Sequence, residues 1–294
     1  PSKPLLYITA TGGDPEKVPG AVVFLNKDGS YQKHQNINFN DGACYLSLDK
    51  GNRHILGVSY GNGRLNVYPL DEKGIPGKAV TTIDEGKKEA HCVLLPPDGK
   101  NVYIPYVKGN LAILQYAYDG NTGKVTPLKP KEAKPPLGSG PRHMAYHPTL
   151  PMVYFSNEQG IGLSTYRREA NGQLKVEQDI SILPPGMSKI GLSASDLLIT
   201  PDGKFLYAGL RGHRQGFSRI SRYRVLEDGK AEFLGLTEAD QVPWGLTLSP
   251  DGKFLLVSAT TGASLAAYRI SKDGNLKRVA TLAWDERMSD LVAR

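Results

Sequence analysis

The chain repeats the phrase Pro-Asp-Gly-Lys three times, at Pro97–Lys100, Pro201–Lys204 and Pro250–Lys253. Each copy lies between two short apolar runs, which is typical of a tight turn that joins two antiparallel strands. Degenerate copies at Asp49–Gly51 and His147–Thr149 bring the spacing of the turns to about 50 residues. A turn between two strands that recurs with this period predicts the blades of a β-propeller.

Each predicted blade contains an inner strand, the Asp-Gly turn, a second strand, a third strand and an outer strand. The inner strands are predicted at Ala43–Leu48, His91–Leu95, His143–His147, Ser195–Thr200 and Leu246–Ser249. The third strands carry tyrosines at matching places, namely Tyr68, Tyr116, Tyr166, Tyr223 and Tyr268. We expect these aromatic side chains to pack one blade on the next.

The two ends of the chain supply the remaining blade. The second, third and outer strands are predicted at Leu5–Ala10, Ala21–Leu25 and Tyr31–Ile37, with no inner strand before them. Ser289–Val292 is predicted as that inner strand, so that both ends complete one blade, close the ring and leave no open edge. The sequence therefore predicts an all-β propeller of six blades of four antiparallel strands, with seven as the alternative, in a single domain over residues 1–294.

The composition is that of a folded globular protein, with 39% hydrophobic and 22% charged residues. The two cysteines, Cys44 and Cys92, fall in the inner strands of different blades and are expected to be buried free thiols.

No apolar stretch approaches the ~18 residues that span a bilayer. The first residue is Pro1, which suits removal of an initiator methionine and favours the cytoplasm, or the periplasm or secretion if the N-terminus has been trimmed.

The net charge of +7 is spread along the chain, except in residues 211–224, which contain five arginines. Guanidinium groups match the geometry of carboxylates and phosphates, so an anionic small molecule is a more economical partner than a nucleic acid. We therefore expect an anionic or lactone small molecule as ligand, no nucleic acid, no membrane, and a monomer or weak homo-oligomer.

Polar residues mark where the chemistry is expected. In a propeller, the start of each inner strand and the loop after each second strand face the mouth of the central channel. The residues at those positions are His91, Arg142, His143, Asn157, Glu158, Asp196, Arg211, His213 and Trp244. Bases, acids and cations from separate blades would converge there, as an enzyme requires to hold an anionic substrate and move its protons.

Each of these residues also has a structural interpretation. His91 alone is typical of a hydrogen-bonded structural histidine, and Glu158 could simply pair with Arg142 or with a neighbouring lysine. His143 and His147 are spaced to share one strand face, but a metal site would need a third ligand, so no metal is predicted.

The sequence lacks the motifs of several other enzyme classes. The stretch Gly191–Ser195 misses the Gly-x-Ser-x-Gly elbow and precedes no predicted helix, which disfavours a serine hydrolase. The sequence contains no phosphate-binding glycine loop and no Cys-x-x-Cys pair, and no cofactor is predicted.

The chain resembles the β-propeller lactonase family in the stretch Gly140–Pro148, which reads Gly-Pro-Arg-His-Met-Ala-Tyr-His-Pro, and in the following Tyr154-x-x-Asn157-Glu158. That family includes bacterial propeller-type 6-phosphogluconolactonases and fungal 3-carboxy-cis,cis-muconate lactonizing enzymes. Further matches are Asp196–Gly203 and Leu206-Tyr207-x-x-x-Arg211-Gly212-His213, and the resemblance covers nearly the whole chain from Ala43 onward.

The resemblance implies a site, with two departures. The catalytic set proposed for the family's cyclases falls on His91, Arg142, Glu158 and Arg211. Substrate contacts are expected from His143, Asn157, Asp196, His213 and Trp244. The family usually has seven blades, so one unit is expected to be absent between the first and second. The family's Pro-Arg-Gly phrase is here Pro243–Gly245, with Trp244 at its centre, which predicts a less anionic or more apolar ligand on that side.

These features favour a lactone hydrolase that acts on a sugar-acid or related lactone. Glu158 or His91 would be the general base for water, while Arg142 and Arg211 would hold an anionic group and stabilise the oxyanion. The alternatives are a muconate-type lactonizing cycloisomerase, which would use the same acid and base, and a non-catalytic propeller that binds a partner.

Overall fold

The structure is a computed structural model that describes residues 4–9, 19–183, 186–213, 216–284, 290–291 and 293. Its architecture is all-β, with strands in six antiparallel sheets whose neighbours follow one another in sequence, which are the six blades that the sequence predicts for a β-propeller. The described helical structure is one short 3-10 turn, Lys108–Asn110. No described helix is both long enough and apolar enough to cross a membrane.

The chain divides into two compact units, residues 1–134 with 170–173, and residues 135–169 with 174–294. The first unit contains three blades. Blade 1 consists of β1 (Leu5–Thr9), β2 (Pro19–Leu25) and β3 (Tyr31–Asn38). Blade 2 consists of β4 (Ala43–Leu48), β5 (His54–Ser59), β6 (Leu65–Pro69) and β7 (Thr81–Ile83). Blade 3 consists of β8 (Asn101–Tyr106), β9 (Ala112–Asp119) and β10 (Lys124–Ala133).

The second unit contains blades 4 to 6, each with four strands. Blade 4 consists of β11 (Pro141–Tyr146), β12 (Met152–Asn157), β13 (Gly162–Arg168) and β14 (Leu174–Ser181). Blade 5 consists of β15 (Leu192–Ile199), β16 (Phe205–Gly212), β17 (Arg219–Val225) and β18 (Ala231–Glu238). Blade 6 consists of β19 (Pro243–Leu248), β20 (Phe254–Ala259), β21 (Ser264–Ile270) and β22 (Leu276–Ala283).

The predicted inner strand of blade 3, His91–Leu95, is wrong as a continuous strand. Only two isolated bridges, Ala90 with Tyr106 and Leu94 with Tyr103, join this segment to β8. The residue that faces this segment is Pro105, whose carbonyl accepts a hydrogen bond from the His91 N–H at 3.1 Å. Because proline has no N–H, Pro105 cannot donate the second hydrogen bond that a continuous antiparallel pairing would need. The predicted inner strand of blade 2 is observed as β4 with the same bounds, whereas β11 begins two residues earlier than predicted and β15 and β19 each begin three residues earlier.

Blades 1 and 2 pack directly on each other within the first unit. The Tyr7 hydroxyl of β1 donates to the Gly74 carbonyl in the outer turn of blade 2 at 2.8 Å. This direct contact between blades 1 and 2 agrees with the expectation that one unit of the family's usual seven is absent between them. Ser289 and Val292, in the predicted closing strand, lie outside the described residues, so ring closure by that strand and the single domain stay predictions.

The contact between Tyr7 and Gly74 recurs in three other blades, where the second strand carries a tyrosine at the position equivalent to Tyr7. The hydroxyls of Tyr103, Tyr154 and Tyr207 donate to the carbonyls of Gly172, Gly229 and Gly274. These glycines, like Gly74, have φ between 79° and 84°, a region that residues with a Cβ rarely adopt. The third-strand tyrosines are buried as well, none being more than 2% exposed. The Tyr68 hydroxyl accepts a hydrogen bond from Asn40 N, in the segment that joins blades 1 and 2.

A matched pair of glycines tests the packing between blades. Gly229 and Gly29 have φ of 83° and 85°, but an added Cβ at Gly229 would lie 2.5 Å from Met152 Cγ, whereas nothing lies within 4 Å at Gly29. We expect Gly29→Ala to cost about 1–2 kcal/mol from backbone strain alone. Gly229→Ala should cost a further ~1–3 kcal/mol from overpacking. Urea unfolding of both variants measures the difference, and equal losses would contradict this account.

Candidate active site

Three inner strands of the second unit carry a β-bulge near their start, where two residues face one residue on the second strand. The bulged pairs and their facing residues are Arg142-His143 with Ser156, Ser195-Asp196 with Gly209, and Trp244-Gly245 with Ser258. A bulge breaks the strict alternation of side chains along a strand and re-aims them. It therefore lets consecutive residues of one strand contribute to one site.

Small residues opposite the bulges make this geometry possible. The His143 N–H donates to Ser156 Oγ at 3.2 Å, and the Gly245 N–H donates to Ser258 Oγ at 3.1 Å. In blade 5 the facing residue is Gly209, and a Cβ there would lie only 2.1 Å from the Ser195 hydroxyl. These three facing residues are not among the predicted site residues, although each is a small or polar residue inside an otherwise apolar second strand, which is a signal visible in the sequence.

Glu158 lies between two buried guanidinium groups. Its Oε2 is 3.3 Å from Arg142 Nε, and its Oε1 is 3.2 Å from Arg211 Nη2. Arg142 is 0% and Arg211 3% exposed, so both cations depend on nearby negative charge. Arg211 Nη2 also donates to the Ala194 carbonyl at 2.9 Å. The structure thus brings together three of the four predicted catalytic residues.

The indole ring of Trp244 contacts the same two arginines. The Cζ atoms of Arg211 and Arg142 lie 4.4 Å and 5.6 Å from the ring centroid, within the range of a cation–π interaction. Trp244 therefore lies at the predicted site, where it holds the guanidinium groups against an aromatic face.

His143 and Asp196 form a hydrogen-bonded pair from neighbouring blades. His143 Nδ1 lies 2.6 Å from Asp196 Oδ1, and the backbone N–H groups of Leu246 and Leu197 donate to the same carboxylate. Burial would raise the pKa of Asp196, but the charge and hydrogen bond of His143 and the two N–H groups hold it below its usual value. Burial and the nearby charge of Arg142 lower the pKa of His143, against the opposing effect of Asp196. The lowered pKa of Asp196 favours its ionised carboxylate, and the lowered pKa of His143 favours its neutral imidazole.

The other predicted residues lie in different surroundings. His213 Nε2 is 3.0 Å from Ser193 Oγ, and burial and the charge of Arg211 lower its pKa. The amide of Asn157 donates to Ser164 Oγ at 2.7 Å and to Asp179 at 2.8 Å, which ties it to the outer strands of its own blade.

His91 belongs to the first unit, where its ring packs edge-on against Tyr60 at a centroid distance of 5.6 Å.

Cys44 and Cys92 are free thiols, the first half-buried and the second buried. Within the part of the chain that the structure describes, no three His, Cys, Asp or Glu side chains are grouped so as to hold a metal ion.

Replacing the shared carboxylate tests the ion cluster. Glu158→Gln would leave two buried guanidinium groups with a neutral amide, and we expect it to reduce the free energy of unfolding by about 3–5 kcal/mol. Glu232→Gln is the matched control, because Glu232 pairs with Arg224 at 3.3 Å with both side chains about half exposed. That change should cost less than about 1 kcal/mol. Urea unfolding of the two variants compares them, and similar losses would refute the assignment.

Comparison with known proteins places the chain in a family. It is 28% identical over 278 residues to the 6-phosphogluconolactonase of Cronobacter sakazakii, covering 94% of this chain and 80% of that one. It is 30% identical over 243 residues to the 6-phosphogluconolactonase of Pectobacterium carotovorum, covering 81% and 70%. The solved periplasmic gluconolactonase of Pseudomonas aeruginosa matches with a TM-score of 0.84 at 21% identity, over 96% of this chain and 83% of that chain, which shows a shared fold. A family model described as "Lactonase, 7-bladed beta-propeller" matches residues 2–288, and the chain therefore belongs to that lactonase family.

Proposed function

We propose that this protein hydrolyses sugar lactones. The observation that carries the proposal is the cluster of Arg142, Arg211 and Glu158 beside the His143–Asp196 pair, all within the second unit. The names of the relatives, 6-phosphogluconolactonase and gluconolactonase, support it. The cytoplasmic location and the oligomeric state stay predictions from the sequence.

The two guanidinium groups suit the transition state of ester hydrolysis. When water adds to a lactone carbonyl, negative charge develops on the carbonyl oxygen. N–H donors that are fixed beforehand stabilise that charge without having to reorganise. Glu158 and Trp244 hold Arg142 and Arg211 in place before substrate arrives, so we assign the arginines to the oxyanion.

Glu158 is better suited to hold these arginines than to take a proton. Each of its carboxylate oxygens faces one guanidinium group, at 3.3 Å and 3.2 Å. Protonation would remove the negative charge that compensates two buried cations. Of the two bases that the sequence predicts, Glu158 is therefore assigned to position the arginines.

The charge of the cluster favours a lactone without a phosphate group. The positive charges of Arg142 and Arg211 are matched by the carboxylates of Glu158 and Asp196, and burial lowers the pKa of His143. Within this cluster of described residues, the balance leaves no surplus positive charge for a phosphate dianion. Trp244 instead offers an aromatic face, which suits the C–H faces of a neutral sugar ring.

Turnover of neutral aldonolactones tests the activity. We expect release of acid from five- and six-membered sugar lactones, measured by titration at constant pH. Arg211→Lys should lower kcat/KM by about 10²–10³-fold, because it removes a fixed oxyanion donor. Arg224→Lys, on the exposed pair with Glu232, should leave it unchanged. Formation of a lactone from a muconate, without hydrolysis of any lactone, would support the cycloisomerase instead, and no turnover at all would support a binding protein.

The role of Trp244 is tested by its effect on phosphorylated substrate. Trp244→Arg should raise the ratio of kcat/KM for 6-phosphogluconolactone to that for gluconolactone by at least about tenfold, since it adds a cation that a phosphate can pair with. Trp284→Arg is the matched control, because Trp284 is 46% exposed, and it should leave the ratio unchanged. A wild-type preference for the phosphorylated lactone would overturn the proposed substrate class.

A further inference from the structure

We propose that His143, oriented by Asp196, is the general base that activates water. This inference rests on the proposed lactone hydrolysis and assigns its proton transfer to a pair of residues that sequence analysis predicts only as substrate contacts. The pair joins the bulge of β11 to the bulge of β15, beside the two arginines.

The carboxylate of Asp196 is rigidly held, and it fixes the imidazole. Its Oδ2 accepts from Leu246 N at 2.8 Å, and its Oδ1 accepts from Leu197 N at 2.8 Å and lies 2.6 Å from His143 Nδ1. An ionised carboxylate accepts only, so the imidazole donates its Nδ1 proton and carries the basic lone pair on Nε2. This is the arrangement in which an acid orients a histidine for proton transfer.

The bulge of β11 places this histidine beside the oxyanion donors. His143 follows Arg142 directly, and the two form the bulged pair opposite Ser156. In a regular strand, neighbouring side chains would point to opposite faces. Arg142 contacts Trp244, two residues before the Leu246 N–H that binds Asp196, so the base pair and the arginine cluster meet at the same three bulges.

The charges around His143 set the direction of its pH dependence. Arg142 and Arg211 disfavour its protonated form and Asp196 favours it, while Glu158 pairs with both arginines and His213 lies near Arg211 and Glu158. Asp290 lies near Asp196, and burial and the charge of Asp196 raise the pKa of its carboxyl. Burial is the largest effect on His143 and, with the arginines, lowers its pKa below its usual 6.5. A base must be unprotonated, so activity should fall as the pH drops through a value below 6.5.

The reaction balances with water as the sole co-reactant. The water oxygen bonds to the lactone carbonyl carbon while one of its protons passes to His143 Nε2. Arg142 and Arg211 stabilise the resulting oxyanion. The carbon–oxygen bond of the ring then breaks, and the protonated His143 returns its proton to the departing ring oxygen, which becomes the hydroxyl of the open-chain acid.

The decisive experiment compares pH–rate profiles of wild type and single variants on gluconolactone. His143→Gln should lower kcat by about 10²–10⁴-fold with little change in KM and should abolish the acid limb. Asp196→Asn should lower kcat at least about 10²-fold, because an amide N–H facing Nδ1 moves the ring proton to Nε2. Added imidazole should restore part of the kcat of His143→Ala. Glu158→Gln and His213→Gln should keep the acid limb, and His34→Gln, at an exposed histidine, should match wild type.

The possible results separate this inference from the proposed function. Urea unfolding of each variant first establishes that it is folded at the assay temperature. If wild type hydrolyses no lactone, the proposed function fails. If wild type is active but His143→Gln keeps its kcat and its acid limb, or if the limb disappears in Glu158→Gln instead, only the assignment of His143 is overturned. A His143→Ala variant that is folded but not rescued by imidazole also counts against it.

Discussion

The site depends on three β-bulges, and each bulge depends on a small residue in the strand that faces it. Ser156 and Ser258 accept the N–H groups of His143 and Gly245 from the facing strands. At the third bulge, Gly209 leaves room for the Ser195 hydroxyl, which donates to the Pro243 carbonyl at 2.8 Å. An unsatisfied buried N–H would cost about 1–3 kcal/mol, so Ser156 and Ser258 stabilise their bulges by accepting these bonds, and Gly209 contributes the space.

The bulges bring several charged side chains together in a buried position, although removing charges from water costs free energy. Arg142 is the largest fully buried side chain described, and a buried guanidinium beside a carboxylate is weak evidence for stability, because the cost of removing both from water rivals their attraction. Glu158 compensates two such cations at once, and Trp244 covers them with an aromatic face. The cost of burying these charges is therefore in keeping with the proposed role of the two arginines in holding positive charge beside a reacting oxygen.

Much of the fold was predictable because its signals are local. The Asp-Gly turns and the tyrosines recur with the period of the blades, and each signal depends only on residues close in sequence. The segment His91–Leu95 was misjudged because its apolar pattern is that of a strand, while the obstacle, Pro105, lies in the facing strand. The sequence predicted which residues form the candidate site but not all of their contacts. The pairing of Glu158 with Arg142 is one of the structural interpretations of the sequence, whereas the second contact of Glu158, with Arg211, is seen only in the structure.

The sequence by itself determined the class of fold, the number of blades and the residues that could act at the site. The tertiary structure decided which of them lie together. His143 and Asp196 are 53 positions apart, and nothing in the spacing of the repeats says that a bulge in each strand turns the two side chains toward one another. Repeats fix strands through local turns and alternation, whereas a bulge arises from the space and the hydrogen-bond acceptors of the strand beside it, which exist only once the sheet has formed.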